Sequence, residues 1–76
     1  MKLIKAETIG DGELLLHIQK FDGTTRSFIE VGRQTFGLSS VVVRIWLEFP
    51  DYLLIDDETT RQLNTWVAYH PMITKI

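Results

Sequence analysis

Two histidines, a run of three acids and a tryptophan–arginine pair are the side chains in this sequence whose types and spacing bear on chemistry. His17 and His70 suit proton transfer near neutral pH, but either needs a carboxylate within hydrogen-bond reach to act as an acid–base pair. No G-x-S-x-G elbow surrounds any serine, and there is no cysteine to serve as a nucleophile. His17 falls on a strand, opposite Phe28. His70 falls at a helix end, where a cation complements the negative pole of the dipole. Both are read as structural, so no catalytic residue is assigned and the chain is expected not to be an enzyme. Asp56-Asp57-Glu58 offers three carboxylates, yet Thr59-Thr60-Arg61 follows without the further oxygen ligands of a calcium loop. The three acids are therefore read as a helix start, and no metal is assigned. Gly32-Arg33-Gln34-Thr35-Phe36-Gly37 lacks both the Lys-Ser/Thr of a phosphate loop and a third glycine, so it is a turn and no cofactor is expected.

The elements that must position these residues are short and rich in β-formers, punctuated by Gly10-Asp11-Gly12, Asp22-Gly23, Gly32, Gly37, Pro50-Asp51 and Pro71. Asp22-Gly23 suits a two-residue type I′ turn. That turn sets Leu14, Leu16 and Ile18 against Val31, Ile29 and Ser27 on one face, with His17 opposite Phe28 on the other. For the first hairpin a three-residue loop, Gly10-Asp11-Gly12, matches Ile4 with Ile18, Ala6 with Leu16 and Thr8 with Leu14. Residues 41–49 alternate cleanly, with Val41, Val43, Ile45, Leu47 and Phe49 on the face taken as core. Residues 52–55 read as a fifth strand in which either Tyr52 and Leu54 or Leu53 and Ile55 face inward. The stretch 32–40 reads as a loose connection or a bulged strand end.

After the acids, Leu63, Trp66, Val67 and His70 recur at helical spacing until Pro71 stops the helix. The final residues, from Met72 to Ile76, read as a short edge strand or a tail. The expectation is one α+β domain spanning 1–76. Five antiparallel strands form a meander of hairpins, and one C-terminal helix packs on one face. A small SH3- or OB-like barrel is the alternative.

One helix covers one face of a sheet. On this reading the uncovered face of the fourth strand presents Val42, Arg44, Trp46 and Glu48 with Leu53 or Ile55 beside it, and Trp46 with Val42 is apolar surplus once the core is filled. Trp and Arg are the types enriched where binding energy concentrates. These four residues are the candidate protein interface. The acidic stretch 48–58 would add charge complementarity to a basic partner.

Composition narrows the classes further. The chain has 76 residues, 45% of them hydrophobic, and a formal charge of −2. A chain this short buries only about 63% of its unfolded surface. It has no disulfide to staple it, so a homo-oligomer is a second expectation beside a protein partner. No apolar run approaches the ~20 residues of a membrane helix. The N-terminal Met-Lys-Leu-Ile-Lys-Ala-Glu does not read as a signal peptide. The absence of cysteine fits a reducing compartment, and the cytoplasm is the expected location.

Residues 20–44 carry Lys20, Arg26, Arg33 and Arg44 against Asp22 and Glu30, a local +2, with Phe21, Phe28 and Phe36 nearby. That combination is the argument for a single-stranded nucleic-acid module. Against it stands an isoelectric point of about 5.5, the wrong side of neutral for phosphate binding. The expected function is a non-enzymatic protein-interaction module: a regulator, an inhibitor of the phage or mobile-element type, or a complex subunit.

Overall fold

The structure, a computed structural model, describes residues 1–36 and 41–74. Its antiparallel sheet runs in chain order through β1 (Lys2–Ile9), β2 (Glu13–Gln19), β3 (Thr25–Phe36), β4 (Val41–Phe49) and β5 (Leu53–Leu54). Helix α1 (Asp57–Tyr69) and the single turn α2 (Pro71–Thr74) follow. The fold is the expected α+β meander with C-terminal helix. β1 pairs only with β2 and β5 only with β4, so the sheet is open rather than a barrel.

The first hairpin closes through Gly10-Asp11-Gly12, with Gly12 N donating to the Ile9 carbonyl at 3.1 Å. Both glycines have positive φ (53° and 99°), which side-chain-bearing residues adopt only under strain. Ala6 pairs with Leu16 and Thr8 with Leu14, as expected. Nearer the N-terminus a bulge between Leu3 and Lys5 substitutes Leu3 for Ile4 opposite Ile18. Leu3 is thereby buried in the core and Ile4 is left exposed.

The second hairpin differs from the two-residue turn. Lys20 N donates to the Thr24 carbonyl at 2.8 Å and Gly23 N to the Lys20 carbonyl at 3.0 Å, so the loop is Phe21-Asp22-Gly23. Only Gly23 adopts positive φ, at 86°. Asp22 instead spends its carboxylate on Thr24, accepting from its N–H at 2.9 Å and its hydroxyl at 2.6 Å. A side chain that bonds two residues ahead stabilises this wider loop over the type I′ form. The extra residue shifts the register by one, so Leu16 faces Phe28, His17 faces Ser27 and Leu15 faces Ile29. A one-residue shift exchanges the two faces of a strand, and here it moves Phe28 to the core side.

β3 runs on through Phe36, because β4 pairs with it along that length, so the turn read at Gly32–Gly37 is corrected to strand over 32–36. Of the two readings of 32–40, a loose connection and a bulged strand end, these residues follow the second, and residues 37–40 lie outside the described residues. A bulge between Glu30 and Gly32 makes Val31 the extra residue. The bulge reverses the alternation, so Arg33 shares a face with Glu30 and sits opposite Arg44.

Asp56 caps α1, its Oδ1 accepting from Thr59 N at 2.7 Å. Leu63 is fully buried, and Trp66, Val67 and Ile55 pack against the same core. Pro71 ends α1 as expected. The chain then makes α2 rather than a strand or tail, burying Ile73. The expectation for Lys75 and Ile76 lies outside the described residues.

Candidate protein-interaction face

Leu14, Leu16 and Ile18 of β2 face the helices as expected, but on β3 and β4 the helices cover the side opposite to the one expected. The core under α1 and α2 comprises Leu3, Leu14, Leu16, Ile18, Phe28, Trp46, Leu63 and Ile73. Trp46 is only 2% exposed. The proposed interface of Val42, Arg44, Trp46 and Glu48 is therefore corrected, because this is the side of β4 that meets α1. Arg44 is half-buried and ion-pairs with Glu30. Glu48 takes Arg26 at 3.3 Å. The side chain of Val42 lies outside the described residues. The physical reason is the hairpin register: Glu30 pairs with Trp46 and Phe28 with Glu48, so the tryptophan follows Phe28 and Leu16 to the helix side.

Beneath the helices, Glu30 is a buried carboxylate, 3% exposed. It accepts from Arg33 Nε at 3.0 Å and Arg33 Nη2 at 2.9 Å, and it also binds Arg44 Nη1. Arg33 and Arg44 are direct cross-strand neighbours, and such like charges repel unless an opposite charge lies between them. Asn64 of α1 completes this region. Its Oδ1 accepts from Arg44 N at 2.9 Å and its Nδ2 reaches the Arg44 carbonyl at 3.4 Å. The helix side chain thus occupies a backbone position on β4 that short β5 leaves unpaired, since β5 pairs only with Leu47 and Glu48.

The other face has no second layer among the described residues, because both helices lie against the Trp46 side. Leu15 and Ile29 are buried at its centre by their neighbours in the sheet. Around them stand Val31, Val43, Ile45, Leu47, Phe49 and Leu54, with Val31 46%, Ile45 39% and Leu54 89% exposed. From β3 to β5 the side chains on this face carry no charge. Exposed apolar side chains grouped in this way make the face the candidate contact surface.

Charge on this face is confined to its β1–β2 margin, where a polar row crosses three strands. Lys5 Nζ lies 2.6 Å from Glu7 Oε1, Glu7 Oε2 lies 3.1 Å from His17 Nε2, and His17 Nδ1 lies 2.8 Å from Ser27 Oγ. Hydrogen bonds from Lys5 first, then from His17, hold the Glu7 carboxyl below its ordinary range. His17 therefore does not sit alone opposite Phe28. The corrected register brings it to Ser27 and a carboxylate.

Ser27, His17 and Glu7 stand in the order nucleophile, base and orienting carboxylate. With Nε2–H donating to Glu7, Nδ1 accepts from the serine hydroxyl. Acyl transfer also needs donors for an oxyanion. Here β3 is paired at Ser27 on both sides, with His17 and with Phe49, so its backbone donors belong to the ladders. Sequence reading missed the row because cross-strand neighbours become visible only once the register is right.

The remaining candidates have local roles. His70 caps α1 with its backbone N–H on the Trp66 carbonyl, and its Nδ1 accepts from Met72 N at 3.2 Å. Asp56 caps the helix, and Glu58 binds Arg61 Nε at 3.1 Å. Among the described residues no three metal-ligating side chains converge, and no helix is long and apolar enough to cross a membrane. No protein-family model, no curated protein and no solved structure matches this chain.

Proposed function

We propose that this chain is a non-enzymatic protein-interaction module that binds a protein partner through the open face of its sheet. It would act as a regulator, an inhibitor or a subunit of a complex. The observation that carries this reading is the orientation of β4. Its most regular apolar side, Val43, Ile45, Leu47 and Phe49, faces away from the helices, while the side with Arg44 and Glu48 faces them. Apolar residues turned away from the chain's own core are accounted for by a surface that another protein covers. A cysteine-free composition supports a reducing compartment such as the cytoplasm.

Protein is favoured over nucleic acid by the fate of the basic middle. Arg26, Arg33 and Arg44 are each engaged by a carboxylate. Of the phenylalanines that would stack on bases, Phe28 is in the core, and Phe21, 94% exposed, stands alone at a turn. The side chain of Phe36 lies outside the described residues. The test is capture from the cells that express the protein, comparing the native chain with Ile45→Lys. A partner retained by the first and lost by the second supports the proposal, and identical captured sets overturn it.

A further inference from the structure

We infer that the partner of the open face is a second copy of this chain, the two sheets packing face to face as a two-fold sandwich; this rests on the open face being an interaction surface. Three features of the molecule select a copy over an unrelated protein. The first is charge. The face is uncharged from β3 to β5, and its charged side chains, Lys2, Lys5, Glu7 and Glu13, all lie at the β1–β2 margin. A two-fold axis running along β4 lays the apolar stripe on its own equivalent and sends each charged row to an opposite outer rim. A surface that is apolar at its centre and charged on one side only is self-complementary under that operation.

The second feature is area. β3 and β4 at ~4.8 Å spacing over about seven residues at ~3.3 Å, with the two residues of β5, give a projected footprint of roughly 250 Å² per copy. Two copies join at most on the order of 500 Å² of projected face, the size class of a weak, reversible contact rather than of an obligate dimer. Sheets packed in this way sit ~10 Å apart, with strands crossing at about −30°.

The third feature is that the alternative route, strand addition at an edge, is obstructed. β1 carries Lys2 and Lys5 and a bulge at Leu3, Asn64 occupies the β4 edge, and β5 is two residues long. These are the devices that discourage edge pairing. What remains for association is the face.

Sedimentation velocity from about 1 to 300 μM brackets the micromolar affinity expected of an interface this small. The native chain should move from its 8.8 kDa protomer mass to twice that mass. Leu54→Glu and Ile45→Lys should each weaken dimerisation at least tenfold, while Thr65→Lys on the exposed side of α1 should leave it unchanged. Trp46 and Trp66 lie on the helix side, so their unaltered emission certifies the fold of each variant independently of the face.

A native chain that stays at protomer mass throughout overturns the inference, as do species heavier than a dimer or face variants that still dimerise. In the monomeric outcome the two readings separate with an apolar dye, 8-anilinonaphthalene-1-sulfonate. Enhancement by the native chain that Ile45→Lys removes keeps an interaction face with a different protein on it. No dye response removes that face as well.

Discussion

Trp46 and Ile45 are adjacent on one strand and belong to opposite faces, so truncating each decides which side is core. Replacing Trp46, 2% exposed, with alanine removes a large buried aromatic, a change that costs about 3–5 kcal/mol. The indole Nε1 is buried without a hydrogen-bond partner among the described residues. The native protein therefore already carries the penalty of an unsatisfied donor, about 1–3 kcal/mol. Deleting the ring relieves that penalty, which places the net loss near the lower end, about 3 kcal/mol. Trp46→Phe, which sheds the donor and keeps a ring, should lose only about 1 kcal/mol.

Ile45→Lys should also lose about 1 kcal/mol, since 39% of Ile45 is exposed already. A 76-residue chain has a total stability of roughly 4–11 kcal/mol. At a urea m-value of about 1 kcal/mol/M, Trp46→Ala should lower the midpoint by ~3 M and Ile45→Lys by ~1 M. Far-ultraviolet circular dichroism at one low protein concentration keeps association out of the comparison. An unchanged midpoint for Trp46→Ala, with Ile45→Lys largely unfolded, would reverse the faces and refute the assignment of the open one.

Other perturbations test the elements that hold the face in place. Gly23→Ala should cost about 1–2 kcal/mol through backbone strain alone, because at φ 86° a Cβ there meets nothing within 4 Å; chemical denaturation at constant m-value reads this. Asp56→Ala should lower the melting temperature by uncapping α1, with a pH-dependent gap. Hydrogen bonds from the Thr59 side chain and backbone depress the Asp56 pKa. The stabilisation is therefore full above the ordinary carboxylate range and fades as pH falls through the lowered value, where native and variant melting curves should converge. Asn64→Ala should cost about 1–2 kcal/mol and accelerate hydrogen exchange at the Arg44 amide, and unchanged exchange there would refute the role given to Asn64 as its partner.

Much of the architecture was legible because it rests on local chemistry. The alternation of 41–49, the glycine loop at 10–12, the Asp56 cap and the spacing of Leu63, Trp66 and Val67 each specify an element without reference to the rest of the chain. Leu14, Leu16 and Ile18 were read on the core side correctly, but which side of β3 and β4 joined them was not legible, for an identifiable reason. Asp-Gly is compatible with two loop lengths, and the choice depends on whether Asp22 adopts positive φ or bonds Thr24. The shorter loop groups Leu16 with Ile29, and since Ile29 lies opposite Leu47 in the sheet, it assigns the wrong side of β4 to the core as well. One residue in one turn thus misplaced Trp46, isolated His17 from Ser27 and hid the open face. A bulged strand end was one of two readings from Gly32 onward, but its place at Val31 was not legible, since Gly32 reads as well for a turn as for a strand whose alternation resets.

That bulge makes the chain's folded meaning depend on residue count, much as a message depends on its reading frame. Upstream of Val31, odd-numbered residues of β3 such as Ser27 and Ile29 look outward; downstream, Arg33 looks inward and Gln34 outward. Deleting Val31 alone would restore strict alternation and change neither frame, with Glu30 still opposite Trp46 and Arg33 still opposite Arg44. Deleting Ile29 instead, with the pairs on either side kept, would straighten the bulge at the cost of turning Glu30 onto the open face and Val31 inward, away from both arginines. Deletions should accordingly be accepted at the hairpin ends and at Val31, and refused at Ile29. Lineages of the chain would drift in loop length, and keep or lose the bulge, while holding Glu30 and Arg33 on one face.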